Sequence, residues 1–233
     1  MLDIFRCPID GSPFKDKWVC ENGHSFLEIN GIIDFLSNEK TENSDILEKV
    51  APLYEQLWAP IGLFLTSGGN TYSSIMKEAG EFISGNIVID VGTGTGKIFD
   101  YTKCEVCIGL DISTKFLRIM KKKRAHVIAV RANANKLPLA NGIADGVSAM
   151  FVIHMIPSKL AVLSEVFRVL KKDGKFVAVI LTKNNFVSEF LARWWKLDLF
   201  SIDYYLKLLK EVGFEKIEYK KLGAWTLFKC AKP

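Results

Sequence analysis

Three glycines on a two-residue repeat are the clearest chemical signal in this sequence. Gly92, Gly94 and Gly96 follow directly on the apolar run Ile87–Val91. A buried strand that breaks into such a loop brings backbone amides against a nucleoside ligand in α/β domains. A dinucleotide loop would need glycine at Lys97, and a phosphate-cradling loop would need glycine at Val91. The spacing therefore predicts a nucleoside site of another kind.

A carboxylate stands at a matching place on the next apolar run. Residues 105–110 read as a strand, and Asp111 follows them, nineteen residues after Gly92. An acid at the tip of the neighbouring strand can accept both ribose hydroxyls of a nucleoside. Capping of the following helix is the alternative role for this side chain.

The glycine loop and this acid together resemble the class I S-adenosylmethionine (SAM) methyltransferases. Residues 131–139 are similar to that family's G-D-A-x-x-L-P-F segment, residues 145–154 to its fourth strand, and residues 165–174 to its E-x-x-R-V-L-K-P-G-G helix end. The matching segments cover about three fifths of the chain. They look most like the type 11, UbiE-like branch, which contains quinone-biosynthesis methyltransferases. The resemblance implies SAM as cofactor.

The resemblance also implies roles for individual residues. Asp90 orients the loop or contacts the methionine end through water, Asp111 binds the ribose, and Ile112 packs on the adenine. Asn133 stands where the family usually has aspartate, and its carboxamide oxygen can still accept from the adenine amino group, without charge assistance. The residues predicted to bind the cofactor are Asp90, Gly92, Thr93, Gly94, Gly96, Asp111, Ile112, Asn133, Ala134 and Phe151.

His154 is the candidate general base. The pattern places it at the carboxyl end of a core strand, where open α/β sheets bind ligands, and an ordinary histidine pKa would let it take a proton. A base is needed if the methyl acceptor is a hydroxyl or an acidic carbon. A packing role is the alternative for His154, and His126, at the start of a strand, is predicted to be structural.

The first forty residues differ in residue pattern from the rest of the chain and contain two turn-like motifs, at residues 7–11 and 20–24. Cys7, Asp10, Cys20 and His24 can complete a tetrahedral zinc site. The arrangement resembles the amino-terminal zinc ribbon of guanine-N1 ribosomal RNA methyltransferases and the small zinc-ribbon activator protein that partners several methyltransferases. Asp10 replaces the second cysteine of that pattern. Structural zinc and a metal-free ribbon are both open, the latter held by Phe5, Phe14, Trp18 and Phe26.

We expect three regions: a zinc-ribbon-like module at 1–38, a linker and helical lid at 39–84, and a SAM-binding domain at 85–233. Within the second, residues 39–43 read as the linker, Ser44 and Asp45 as a helix cap, and Pro52 as a kink. The stretch up to residue 83 is rich in aromatic residues, and in related enzymes such a stretch covers the bound SAM. Its aromatic residues are Tyr54, Trp58, Phe64 and Tyr72. Packing on the outer face of the sheet is the alternative for these aromatics.

The carboxyl-terminal region predicts an α/β fold, a doubly wound, mostly parallel, Rossmann-like sheet. Strands are predicted at 87–91, 105–110, 126–130, 146–152 and 175–181, with helices between them. Ser113 and Ser158 are predicted to cap helices over 115–123 and 159–170, and Gly174 to help end the second. Residues 185–199 form an aromatic insertion of the kind that roofs the acceptor site in this family. A helix over 202–212, ended by Gly213, precedes a terminal antiparallel pair at 216–219 and 225–230.

Composition bounds the remaining expectations. The 233 residues contain 49% hydrophobic and 24% charged residues, with a net charge of +5 and a pI near 8.8. No secretion signal or membrane-length apolar run is present, and five irregularly spaced cysteines suit a reducing compartment, so we expect a cytoplasmic protein without a membrane partner. Cys104 and Cys107 are predicted to pack in the core without a disulfide. The basic run 121–124 is predicted to be a solvated helix end.

These observations favour a SAM-dependent methyltransferase that acts on a small molecule. A ribosomal or transfer RNA acceptor is the first alternative, suggested by the ribbon and the positive charge. A non-catalytic SAM-binding scaffold is the second, suggested by Asn133 and the altered ribbon pattern. In either case the ribbon could dock onto a protein partner.

Overall fold

The computed structural model of the chain describes residues 2–36 and 59–233. The predicted linker at 39–43, the cap at Ser44 and Asp45, the kink at Pro52, the aromatic residues Tyr54 and Trp58 and the boundary at residue 38 lie outside the described residues. The three regions expected from the sequence therefore stay predictions.

Nine of the eleven described strands form one sheet. The strands are β1 (Phe14–Asp16), β2 (Val19–Cys20), β3 (Leu27–Ile29), β4 (Ile32–Asp34), β5 (Ile87–Val91), β6 (Val106–Asp111), β7 (Ile128–Arg131), β8 (Ala144–Met150), β9 (Leu170–Leu181), β10 (Glu215–Leu222) and β11 (Trp225–Ala231). Their order in the sheet is β10-β11-β9-β8-β5-β6-β7-β4-β3, while β1 and β2 form a separate hairpin. The six strands from β9 to β4 run parallel, and both outer ends are antiparallel. The mostly parallel sheet with a terminal antiparallel pair is confirmed.

The described parts of the chain contain six α-helices. They are α1 (Ala59–Thr66), α2 (Tyr72–Ile83), α3 (Thr114–Lys123), α4 (Lys159–Val169), α5 (Phe186–Trp195) and α6 (Ile202–Val212). The Ser113 hydroxyl accepts from the amide of Phe116, as predicted for a helix cap. Ser158 stands at the start of α4, but its side chain makes no capping hydrogen bond, so that prediction was wrong. In the parts of the chain that the structure describes, no helix has the length and apolar character needed to cross a bilayer.

Two connections and one helix end differ from the predicted pattern. A 3-10 helix, Lys97–Asp100, replaces the α-helix expected between β5 and β6, and residues 132–143, between β7 and β8, contain no helix. Gly174 does not end α4, because the chain passes directly from Val169 into β9. Gly174 lies inside that strand, where its carbonyl accepts from the amide of Lys232 near the end of the chain.

The sheet is covered on both faces by apolar layers. One layer unites α4 and α6 with buried side chains of the amino-terminal segment, which we define as residues 2–36. The other contains α2, α3 and the 3-10 helix Lys97–Asp100. Burial of both sheet faces is the arrangement that a parallel sheet requires, and it accounts for the continuous apolar runs of β5, β6 and β9.

The amino-terminal segment is built around aromatic contacts and continues the main sheet. Phe5 meets Trp18 edge to face at 5.2 Å, and Phe26 meets Phe35 at 5.1 Å between ring centres. The predicted packing of Phe5, Phe14, Trp18 and Phe26 is observed, and Phe35 completes the cluster. Strand β4 pairs parallel with β7, so that Asp34 lies beside Arg131. The segment thereby forms one edge of the nine-stranded sheet.

Near β6 and α3, one side-chain prediction was wrong and another holds only in part. Cys104 and Cys107 form a disulfide. The strand-alternation argument fails because Cys104 lies two residues before β6 begins, so the two side chains are not restricted to opposite faces. In the basic run, Arg124 is only 5% exposed and donates to both carboxylate oxygens of Asp100. The end of α3 is therefore only partly a solvated basic surface.

Candidate functional site

The glycine loop, residues 92–96, is held against the end of the neighbouring strand. The amide of Thr93 donates to the carbonyl of Leu110 at 2.9 Å, and the amide of Gly94 donates to the Asp111 carboxylate at 2.8 Å. The amide of Gly96 donates back to the carbonyl of Thr93, which closes the turn. The two strongest features of the sequence, the loop and the acid, are therefore in direct contact at the carboxyl edge of the sheet.

Two of the loop glycines differ in their surroundings. Gly92 has φ of +68°, and a Cβ there would lie 2.5 Å from the Val152 side chain, so only glycine fits against this residue, which follows β8. Gly94 has φ of +53°, but a Cβ there would have no atom within 4 Å. The backbone at Gly94 thus borders open space, as a loop that receives a ligand should.

Asp90 is a buried acid directly before the loop. Its carboxylate accepts from the Ser148 hydroxyl at 2.7 Å. Burial raises the pKa of Asp90 to about 7, and the charge of Asp111 adds to this, against the opposing hydrogen bonds from Ser148 and Thr93. A carboxyl group poised near neutrality at a loop is typical of a ligand-binding site.

Asp111 and Ile112 form the rim of the site at the end of β6. One Asp111 oxygen accepts from Gly94 and the other from the amide of Ser113 at 2.9 Å. Both amides hold the carboxylate at the rim of the loop. The side chain of Ile112 is 38% exposed and offers an apolar surface at this rim.

Residues 131–140, which we call the 131–140 segment, lie next to this rim. Asn133 is exposed, and its side-chain oxygen accepts from the amide of Asn135 at 2.9 Å. The Glu165 carboxylate accepts from the amide of Leu137, and Arg168 donates to the carbonyls of Leu137 and Leu139. The physical role of the E-x-x-R pattern in α4 is therefore to fix this segment.

Phe151 and His154 follow β8 and belong to an aromatic cluster. Phe151 has φ of +58°, a conformation that is costly for a bulky residue and is often found at functional sites. Its ring meets Trp225 at 5.1 Å and Tyr72 at 6.3 Å. The His154 ring meets the same tryptophan at 5.3 Å. We name Tyr72, Phe151, His154, Trp195 and Trp225 the aromatic cluster.

His154 is buried and uncharged. Burial, with a smaller effect from the Lys159 charge, lowers its pKa to about 3. Within the described residues its Nδ1 atom has no hydrogen-bond partner. An unpaired buried acceptor is costly, and it commonly marks a place where a ligand or water binds.

Helices α1 and α5 converge on the aromatic cluster. Trp225 donates from its indole nitrogen to the Thr66 hydroxyl at the end of α1, and its ring lies 6.4 Å from that of Trp195 at the end of α5. The outer face of α5 is apolar, with Phe186 80% and Trp194 61% exposed. The predicted lid and the predicted aromatic insertion thus meet at one tryptophan.

The four predicted metal ligands are brought together in the amino-terminal segment. Single donor atoms of Cys7, Asp10, Cys20 and His24 all lie within 4.8 Å of one another. His24 Nδ1 is 3.6 Å from the Cys7 sulfur, 3.4 Å from the Cys20 sulfur and 3.2 Å from an Asp10 oxygen. The amide of His24 also donates to the Cys20 sulfur.

Two supports of the glycine loop were missed from the sequence. Ser148, on β8, binds Asp90 from the neighbouring strand. Arg124 donates to the carbonyl of Thr95 at 2.8 Å while it pairs with Asp100, so it joins the loop to the 3-10 helix that follows. Both contacts link residues far apart in the chain, so no local sequence pattern predicts them.

Comparison with known proteins agrees with this geometry. Residues 89–178 match the family described as Methyltransferase domain. The ubiquinone/menaquinone biosynthesis C-methyltransferase UbiE of Bartonella bacilliformis is 30% identical over 178 residues, which cover 68% of this chain and 63% of the relative. The chain spans about half the length of the curated relatives that it matches.

Solved structures share the fold at lower identity. A SAM-dependent methyltransferase of Thermotoga maritima, described as a possible histamine N-methyltransferase, has a TM-score of 0.63 and 19% identity over 80% of this chain and 98% of its own. A methyltransferase complex with the Trm112 methyltransferase activator of Haloferax volcanii has a TM-score of 0.67 and 16% identity over 81% and 98%. These structures show the shared fold. The family match and the curated relatives place the matched domain, residues 89–178, with the class I SAM-dependent methyltransferases, in the UbiE-like branch.

Proposed function

We propose that this protein transfers the methyl group of SAM to a small-molecule acceptor. The observation that supports this most is the joining of the glycine loop to Asp111, with open space beside Gly94. A nucleoside needs apolar contact for its base and paired acceptors for its ribose, and Ile112 and Asp111 offer both side by side. The buried Asp90 lies at the inner end of the same loop.

Each predicted cofactor residue has a proposed part. Asp111 binds the ribose hydroxyls, and Ile112, Ala134 and Asn133 surround the adenine. The loop residues Gly92, Thr93, Gly94 and Gly96 approach the cofactor with their backbone. The Asn133 side chain already accepts a hydrogen bond from the amide of Asn135. We therefore expect its hydrogen bond to adenine to be weaker than that of the aspartate usual in the family. Phe151 and Asp90 border the methionine end.

SAM supplies a methyl group activated by its sulfonium, which an acceptor lone pair can displace. The chain's own contribution is alignment and exclusion of water. Positive charge spreads when a neutral acceptor attacks, so the apolar walls that Phe151, Tyr72 and Trp225 supply cost the transition state less than the ground state. Holding two reactants in line accounts for roughly 7 to 11 kcal/mol of such a barrier.

His154 is the proposed polar group of the acceptor site. Its neutral imidazole has a buried Nδ1 that can accept a hydrogen bond from an acceptor hydroxyl. A base with a pKa near 3 accepts protons poorly at neutral pH, so we propose that His154 orients the acceptor by accepting a hydrogen bond from it and does not remove its proton. An aromatic acceptor also fits the ring-lined surroundings.

A small molecule is favoured over RNA by how the basic residues are used. Arg124 is buried against Asp100, and Lys121 donates to the carbonyls of Ala125 and Val127. The basic run is thus partly consumed by intramolecular contacts and contains no interleaved aromatics for base stacking. The buried, unpaired Nδ1 of His154 favours a catalytic site over a non-catalytic scaffold.

The test combines binding with transfer. Calorimetry should show SAM binding that Asp111→Asn weakens strongly, while Asp203→Asn, in the exposed first turn of α6, leaves it unchanged. Labelled SAM should then methylate phenolic or hydroquinone acceptors, and His154→Gln should lower turnover without changing the SAM Kd. Methyl transfer to total RNA, with no transfer to phenols, would support the RNA alternative instead. SAM binding without methyl transfer to any acceptor would favour the scaffold.

We also propose structural zinc in the amino-terminal segment. Tetrahedral zinc places a thiolate sulfur and an imidazole nitrogen about 3.5 Å apart, and a nitrogen and a carboxylate oxygen about 3.3 Å apart. The distances from His24 Nδ1 of 3.4 to 3.6 Å to sulfur and 3.2 Å to oxygen fit these values. Metal analysis of the purified protein should give one zinc per chain, lost in Cys20→Ala. If the parent protein and Cys20→Ala contained equal, sub-stoichiometric zinc, the segment would be held by its aromatic contacts alone.

A protein partner and a cytoplasmic location complete the proposal. The edge strand β3 exposes Leu27 and Ile29, which suits addition of a strand from another protein. The Trm112 complex is a precedent for a partnered methyltransferase of this fold. Leu27→Lys should abolish a co-purifying partner if β3 is the docking edge, and cell fractionation tests the location.

A further inference from the structure

The amino-terminal segment touches the proposed SAM site at its adenine side. Strand β4 lies parallel to β7, and the amide of Phe35 donates to the carbonyl of Arg131 at 3.0 Å. Beyond the strand, the amide of Arg6 donates to the carbonyl of Pro138, and the amide of Ala140 donates to the carbonyl of Ile4. Both ends of the 131–140 segment are therefore hydrogen bonded to the amino-terminal segment.

Arg131 joins the amino-terminal segment to the rim of the site. Its guanidinium donates to both carboxylate oxygens of Asp34 at 3.1 Å and to the carbonyl of Leu36 at 3.3 Å. The same guanidinium donates to the carbonyl of Ile112 at 3.1 Å. Ile112 follows Asp111, so one arginine connects β4 to the residues proposed to hold adenine and ribose.

Lys136 makes a second link, which reaches the metal-ligand cluster. Its ammonium donates to the carbonyl of Ile9 at 2.9 Å, across 127 residues of sequence. Ile9 immediately precedes Asp10, and Arg6, which binds Pro138, immediately precedes Cys7. The contacts to the 131–140 segment thus come from residues adjacent to two of the four grouped donor atoms.

The opposite side of the 131–140 segment is already fixed by Glu165 and Arg168. Residues 132–143 contain no helix, so tertiary contacts must supply the order that a regular element would otherwise supply. Shared burial of Phe5 and Phe35 with Leu137 and Leu139 adds an apolar contact to these hydrogen bonds.

We propose that the amino-terminal segment is a positioning element of the SAM site, and that Asp34 and Lys136 couple it to SAM binding. The proposal rests on the proposed function. Because coupling between two sites is reciprocal, SAM must stabilise the amino-terminal segment as much as the segment strengthens SAM binding. Any metal bound by Cys7, Asp10, Cys20 and His24 then tightens SAM binding through Ile9 and Arg6.

The experiment measures SAM affinity by calorimetry in variants that leave the proposed SAM contacts intact. Lys136→Met and Asp34→Asn should each weaken SAM binding about three- to tenfold, the effect of one lost hydrogen bond or charged contact. Lys136→Arg should restore most of the affinity. Lys15→Met, at an exposed lysine of β1, is the matched control and should bind like the parent protein.

Hydrogen exchange with and without SAM gives the reciprocal readout. SAM should slow exchange of the amides of Arg6, Phe35 and Ala140 in the parent protein, with less protection in Lys136→Met. Parent-like SAM affinity in both Lys136→Met and Asp34→Asn, with equal exchange at those amides, would overturn the inference while leaving the proposed function intact. Absence of SAM binding in the parent protein would instead refute the proposed function.

Discussion

Replacement of Gly94 by alanine separates cofactor binding from folding. Gly94 has φ of +53°, where alanine costs about 1 to 2 kcal/mol. A Cβ at this position meets no atom within 4 Å, so no clash adds to that cost. The proposed SAM would fill the same open space, and forcing one methyl group into an occupied site costs about 1 to 3 kcal/mol. We therefore expect a folded variant whose SAM affinity falls roughly 5- to 150-fold.

Gly142 offers a matched control for this substitution. It has φ of +62°, and a Cβ there also meets no atom within 4 Å, but it lies just before β8, at the opposite edge of the sheet. Chemical denaturation should show similar losses of unfolding free energy for Gly94→Ala and Gly142→Ala, and calorimetry should show weakened SAM binding for Gly94→Ala alone. If both variants bound SAM like the parent protein, the glycine loop would not be the cofactor cradle.

Three further predictions concern charge, sulfur and stability. Burial raises the pKa of Asp90 to about 7, and the sulfonium of SAM favours the ionised carboxylate. SAM binding should therefore release a proton and become about tenfold tighter between pH 6 and pH 8. Asp90→Asn should bind SAM with no such pH dependence, and a flat pH profile in the parent protein would contradict the assignment. Alkylation of the denatured, unreduced protein should label three cysteines, and five after reduction, because Cys104 and Cys107 are joined; five labels without reductant would exclude the disulfide. Arg124→Met should lower the free energy of unfolding by about 2 to 3 kcal/mol. The loss is smaller than for a fully buried ion pair because the partner carboxylate of Asp100 is partly exposed. Lys122→Met, in the exposed part of the same run, should change the free energy of unfolding by less than about 0.5 kcal/mol.

The core of the fold could be predicted because its signals are local. The strand Ile87–Val91 has the predicted bounds, and α6 (Ile202–Val212) begins and ends where the apolar periodicity and Gly213 indicated. The contact of Gly94 with Asp111 also follows from local pattern, since the ends of adjacent parallel strands meet at one edge of the sheet.

The remaining features depend on contacts between distant residues. Nothing in a basic helix end shows that Arg124 turns inward to Asp100, and Gly174 resembles a helix stop although β9 runs through it. The bonds from Arg131 to Asp34 and from Lys136 to Ile9 span 97 and 127 residues. Sequence periodicity cannot detect contacts of that range, so the contacts between the amino-terminal segment and the proposed SAM site emerged only from the structure.

A crystal structure of the protein with S-adenosylhomocysteine tests the central claim most directly. The account predicts the ribose hydroxyls within hydrogen-bonding distance of Asp111, the adenine against Ile112 and the 131–140 segment, and the sulfur facing the aromatic cluster. An empty cleft at saturating ligand, or the nucleoside bound away from the loop at Gly94, would contradict it.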